Sequence, residues 1–302
     1  FHKSVYYVDY NEDIYVGYRY FETIPGAAEK VNYPFGFGLS YTDFEISNIT
    51  VKNCGEKIKV SADVKNIGDV SGKEVVQVYY SAPQGKLGKP KYELAAFKKT
   101  KELAPGETRT VCMEFDINSM ASYDDLGKVA KSAYVLEAGN YSFHIGNSIR
   151  NTVKADYEYV VEKDTVTEQL TQQCAPSRLE KRMLSDGSFE ALEPCTGNVS
   201  LNNYPVNTAK APEEKAVLED VVNGKVSMDE FIAQLTDEQL VSLTYGKHCR
   251  GVANTCGMGD LEEYGVPNVM TADGPAGLRI DRGLGVNTTA FPCATMIACT
   301  WQ

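Results

Sequence analysis

The sequence predicts an antiparallel β-sandwich joined to an α/β segment that begins a TIM-type barrel. Three observations carry this. Ile58, Val60, Ala62 and Val64 alternate with Lys57, Lys59, Ser61, Asp63 and Lys65, the period of two that marks a half-buried strand. From Pro212 the apolar spacing becomes helical, with two capping-box signatures in succession, Ser227 to Glu230 and Thr236 to Gln239, each able to satisfy free N–H groups at a helix start. Finally, the apolar run before Asp273 stops at that carboxylate, and Gly274-Pro275 turns the chain. Side chains at the C-terminal ends of barrel strands face the mouth of the barrel.

The elements follow in order. Residues 1–33 are rich in tyrosine, centred on Asp13-Ile-Tyr-Val-Gly-Tyr-Arg-Tyr-Phe21, and are too short to bury their own apolar surface; they read as the tail of another domain. Residues 34–161 are predicted to form the sandwich. After the first strand come Val76, Val78 and Tyr80; then Arg109, Val111, Met113 and Phe115 behind the turn Ala104-Pro-Gly-Glu107; then Tyr141, Phe143 and Ile145 behind Ala138-Gly-Asn140. Short strands punctuated by Gly, Pro and Asn suit a sandwich. His144 falls on the polar face of its strand and is expected to be solvated. Residues 162–211, broken by Pro176, Pro194 and Pro205, read as a linker with one short helix near Arg178–Leu184. In 212–302, Val217, Leu218, Val221 and Val222 share a helical face with Gly224 as its C-cap. Pro267 opens a strand that Asp273 closes, and Phe291 to Trp301 reads as a buried strand running into a helix start.

Composition excludes several functions. Hydrophobic residues make up 43% and charged residues 24% of the 302, a globular balance. A net charge of −11 opposes nucleic-acid binding, which needs a basic face to displace counterions, and no apolar run approaches the ~18–20 residues of a membrane span. The eight cysteines are thinly spread without a CxxC pair, and the histidines are His2, His144 and His248. Only His248, Cys249 and Cys256 come near a zinc-ligand pattern, short of the paired spacing such a site needs. No metal or cofactor is expected. Such thin cysteine usage favours reduced thiols and a cytoplasmic setting.

Asp273 is the leading site candidate. An ionised carboxylate accepts two hydroxyl donors at once, through charge-assisted bonds stronger than neutral ones, which suits vicinal hydroxyls of a sugar. The ordinary alternative is that Asp273 caps its own Asp-Gly-Pro turn. Arg279, six residues on, either lines the same pocket or makes a structural salt bridge. A glycosidase needs two carboxylates flanking the scissile bond, and Asp260, Glu262, Glu263 and Asp281 have no context that separates them from solvated loop acids. Gly283-Leu-Gly285 is too weak a pattern for a phosphate cradle.

Tyr33-Pro-Phe-Gly-Phe-Gly-Leu-Ser-Tyr-Thr42 resembles the signature that opens the fibronectin type III-like domain of glycoside hydrolase family 3. Val64-Lys-Asn-Ile-Gly-Asp69 with Glu74-Val-Val-Gln-Val-Tyr79, and the turns Ala104-Pro-Gly-Glu107 and Glu137-Ala-Gly-Asn-Tyr141, resemble its later parts. Asp13-Ile-Tyr-Val-Gly-Tyr-Arg-Tyr20 is similar to the end of the family's α/β sandwich domain, and Ala272-Asp-Gly-Pro-Ala-Gly-Leu-Arg279 to the motif after the first strand of its barrel. The resemblance implies an immunoglobulin-like sandwich and a rearranged domain order: tail of the α/β sandwich (1–33), fibronectin type III-like domain (34–161), linker (162–211) and N-terminal part of a (β/α) barrel (212–302). It implies a retaining β-glucosidase-like activity on oligosaccharides or β-glycosides, with Asp273 holding hydroxyls of the sugar that is cleaved. The family's nucleophile and acid/base motifs have no match in these residues, so the 302 residues alone are expected to be inactive. A non-catalytic stabilising or carbohydrate-binding module is the alternative.

Overall fold

The computed structural model describes residues 6–170, 179–193, 206–245, 247–248, 256–280 and 282–302. His2, Cys174, Cys195, Cys249 and Asp281 lie outside them. The chain divides into one unit up to Tyr204 that also takes in Trp301, and a second from Pro205.

The first unit is built on two antiparallel sheets. One has the order β1-β2-β5, with β1 Phe44–Asn53, β2 Lys57–Asn66 and β5 Thr108–Asp116. The other has the order β4-β3-β8-β9, with β3 Val75–Ser81, β4 Glu93–Lys99, β8 Gly139–Ser148 and β9 Asn151–Val161. The alternation seen in the sequence becomes the core between them. Ile58, Val60, Ala62 and Val64 from β2 and Val111, Met113 and Phe115 from β5 meet Val76, Val78, Tyr141, Phe143 and Ile145. Each buried Val or Phe removes apolar surface worth roughly 1.5–3 kcal/mol from water, so a one-residue slip of any strand would expose a whole row. β3 is buried on both faces, Gln77 and Tyr79 included. Its outer face is covered by the tyrosine-rich tail: Tyr18, on the short helix α1 (Tyr18–Thr23), stacks on Phe35 at 4.4 Å and meets Tyr79 edge-on at 6.3 Å. Arg19 pairs with Glu93 and Arg150 with Glu22. The tail thus sets Tyr18 against the sandwich sheet and buries Tyr15, while Tyr6, Tyr10 and Tyr33 stay exposed.

Three further findings depart from the sequence reading. The stretch expected as linker contains β10 (Thr165–Gln169), which pairs with β7 (Ala133–Leu136), itself paired with β6 (Ser122–Asp124). Where a helix was expected near Arg178–Leu184, Lys181–Met183 is strand β11, paired with β12 (Phe189–Ala191); three residues carry too little periodicity to separate the two states, and cross-strand hydrogen bonds decide. His144 is half-buried rather than solvated, its ring edge-on to Tyr92 at 4.9 Å.

In the second unit, α2 (Leu218–Val222), α3 (Met228–Ala233) and α4 (Asp237–Thr244) pack Phe231 and Leu235 with Leu218, Val221, Leu240 and Leu243. Both capping boxes form: the Glu230 and Gln239 N–H groups donate to Ser227 Oγ and Thr236 Oγ1, and the Glu230 and Gln239 side chains accept from the cap N–H groups at 2.8 and 2.9 Å. The described strands here, β13 (Lys247–His248), β14 (Cys256–Leu261) and β15 (Val266–Met270), pair antiparallel in that order. These strands do not show the start of a TIM-type barrel: the short connection between β14 and β15 makes a hairpin, whereas a parallel pair needs a crossover of a dozen or more residues. Helix α5 (Ala294–Ala298) forms where a helix start was expected, but residues 291–300 are exposed, not a buried strand.

Candidate functional site

β15 ends at Met270, and Asp273 stands three residues beyond it, in a loop closed by main-chain bonds. The Arg279 N–H donates to the Asp273 carbonyl at 2.8 Å and the Gly277 N–H to the Gly274 carbonyl at 3.3 Å. A second strand of the loop supports it: the Phe291 N–H donates to the Ala276 carbonyl at 3.0 Å, and Thr288 Oγ1 to the Leu278 carbonyl at 2.6 Å. Gly277 makes this approach geometrically feasible. Its φ is +112°, and a Cβ there would lie 2.2 Å from the Thr289 carbonyl oxygen, so only glycine fits.

The two sequence candidates are brought together. Arg279 Nη1 lies 3.9 Å from Asp273 Oδ2, with side chains 65% and 48% exposed. An ion pair this long and this exposed contributes at most about 1 kcal/mol. The arrangement presents an acceptor-only carboxylate beside a planar donor fork, a match for adjacent hydroxyl oxygens.

The other acids separate from this pair. Glu262 and Glu263 sit in a 3-10 turn, and Glu263 accepts a hydrogen bond from Gln239 Nε2 at 2.7 Å, tying that turn to α4. Asp260 lies within β14 at a φ of +71°. Gly283-Leu-Gly285 enters the turn Arg282–Leu284. Among the described residues no three His, Cys, Asp or Glu side chains converge as metal ligands, and Cys54, Cys112, Cys293 and Cys299 carry free thiols.

The first unit contains polar centres that the sequence did not announce. Arg182 on β11 reaches Glu190 at 2.7 Å, Asp125 at 3.1 Å and Asp13 at 3.6 Å. Burial pushes the Asp13 carboxyl above its ordinary range, against the pull of Arg182. Asp124 is buried and accepts the N–H groups of Gly127, Lys128, Val129 and Ala130 at 2.6–3.0 Å. Burial alone would raise its pKa, but the four donors outweigh it and hold the carboxyl low. Arg182 draws Asp13 and Asp125 from more than fifty residues away in the chain, a distance that leaves no spacing signature.

Residues 74–149 match the fibronectin type III-like domain family. The chain is 46% identical over 344 aligned residues to β-glucosidase A of Butyrivibrio fibrisolvens, covering 100% of this chain and 41% of that protein. It is 40% identical over 308 residues to a β-glucosidase of Ruminococcus albus, covering 97% of this chain and 32% of that protein. Among solved structures, a β-glucosidase from Paenibacillus barengoltzii superposes with a TM-score of 0.77 at 41% identity, over 97% of this chain and 34% of that one. The chain thus spans about two fifths or less of each of these relatives.

Proposed function

We propose that this chain, a β-glucosidase-like sequence of glycoside hydrolase family 3 that carries a fibronectin type III-like domain, forms part of a retaining glycosidase that releases terminal β-linked sugars. The observation that carries the proposal is the pairing of Asp273 with Arg279 on an exposed loop within a sequence similar over its whole length to β-glucosidases. In this reading Asp273 accepts hydroxyls of the sugar to be cleaved and Arg279 steadies the carboxylate from the side. Such bonds accelerate the reaction to the extent that they strengthen in the transition state, where the ring is distorted and charge develops.

The reaction needs two further carboxylates, a nucleophile and an acid/base, about 5 Å apart for retention. We place both in the part of the longer protein that this chain does not span, with residues 212–302 as the opening of its barrel. The 302 residues then bind sugar weakly at Asp273 and do not turn it over. The test is hydrolysis of an aryl β-glucoside by the longer protein and by the isolated chain. Activity in the longer protein, lost on Asp273→Ala, supports the reading; turnover by the isolated 302 residues refutes the placement of the catalytic pair.

A further inference from the structure

The hairpin β11–β12 covers one side of a cavity of about 630 Å³ in the first unit. The hairpin is tied down by main chain and charge: the Met183 N–H donates to the Asn11 carbonyl at 2.7 Å, Arg182 holds Asp125 and Glu190, and Lys128 holds Glu190 at 2.9 Å. Arg182 is 9% exposed. A cavity of this size sits within the range that small ligands occupy.

Its walls specify a chemistry. Asp9, Asp13, Glu93 and Asp125 face it with Arg19 and Arg182. Acid exceeds base, so phosphates and carboxylates are repelled; Arg19 holds Glu93 and Arg182 holds Asp13 and Asp125, and the carboxylate oxygens beyond those pairs can accept from hydroxyl donors. Tyr10 and Tyr123 add aromatic rings to the lining, over an apolar floor that includes Ile14 and Leu192. Tyr10 is 66% exposed, leaving its ring available to an incoming group. A pyranose has this complementary form: an apolar C–H face for an aromatic ring and a rim of hydroxyls that both donate and accept.

We propose that this cavity is a binding site for a neutral pyranoside, with Tyr10 as stacking platform and the Asp9 and Asp125 carboxylates as hydroxyl acceptors. The ligand class follows from the lining and does not depend on the role given to Asp273. Calorimetric titration of the 302-residue chain with methyl β-glucoside and with cellobiose tests it. Saturable binding is expected with a Kd on the order of 1 mM. Tyr10→Ala should weaken it by about tenfold, the scale of one lost aromatic contact, and Asp9→Asn should weaken it too, both with an unchanged circular dichroism spectrum. Absence of saturation at about 50 mM, far above that Kd, overturns the proposal. So does binding that survives Tyr10→Ala and Asp9→Asn but disappears in Asp273→Ala, a result that would support the Asp273 loop instead. Tighter binding of methylammonium than of either sugar would overturn the ligand class.

Discussion

The main-chain N–H of Arg279 donates to the carbonyl of Asp273 at 2.8 Å while the two side chains stand 3.9 Å apart. The backbone bond closes the loop, and the side-chain pair is loose. Substituting either side chain leaves that main-chain bond in place. In the longer protein, Asp273→Ala is expected to lower kcat/KM by about 2–4 kcal/mol, the scale of losing charge-assisted hydrogen bonds to the transition state. Arg279→Ala should cost less and leave kcat nearer its original value. Steady-state kinetics on an aryl β-glucoside checks both; a loss below about threefold for Asp273→Ala, less than 1 kcal/mol, would favour turn capping.

Gly277 provides a test that touches neither side chain. Alanine there would drive a Cβ into the Thr289 carbonyl at a φ of +112°. The loop must shift by about an ångström, and misplacement of that size costs on the order of a hundredfold in rate. The expected outcome is a large fall in kcat/KM in the longer protein, with little change in the thermal transition of the sandwich.

Lys89 and Glu137 form an ion pair inside the sandwich unit, each side chain 2% exposed. Glu137 also accepts the N–H groups of Lys86 and Leu87 at 2.6 and 3.2 Å. Removing one partner of a buried pair leaves an uncompensated charge, so Glu137→Ala should destabilise by about 3–5 kcal/mol. Replacing both partners together, Lys89→Met with Glu137→Leu, should cost less than Glu137→Ala alone. Denaturant unfolding monitored by circular dichroism separates these outcomes.

His144 makes stability depend on pH. Burial first, and then the charges of Lys154 and Lys91, hold its pKa below the ordinary histidine value. The folded protein therefore resists a proton that the unfolded chain accepts near pH 6.5. As pH falls through about 6.5 the unfolded state gains protons first, so stability declines, and the decline ends once the folded pKa is passed. His144→Phe, which keeps a ring against Tyr92, should abolish this component. Urea midpoints of both proteins from about pH 8 to 5 measure it.

The helix caps offer a smaller effect. Ser227→Ala and Thr236→Ala should each cost about 1 kcal/mol, since each leaves a helix N–H without its partner. Hydrogen exchange in α3 and α4 should rise without change in β2 or β8.

Local signals were legible in the sequence. Alternation placed β2, β3, β5 and β8, because strand side chains point to opposite faces with a period of two. The capping boxes placed α3 and α4, because a cap is a contact between residues three apart. Asp273 was legible as a carboxylate after a strand, and Arg279 as its near neighbour. The hairpin β11–β12 was not, and neither was the covering of β3 by Tyr18 and Phe35: both depend on partners distant in the chain.

By itself the sequence determined the strand-rich domain, the helix starts and the loop that carries Asp273, since these follow from contacts within a few residues. Tertiary structure alone decided the half-burial of His144, the convergence of Asp13, Asp125 and Glu190 on Arg182, the antiparallel pairing of β14 with β15, and the 3.9 Å separation of Asp273 from Arg279. The reason is physical. Burial and charge pairing depend on which distant surfaces exclude water together, and no periodicity along the chain records that.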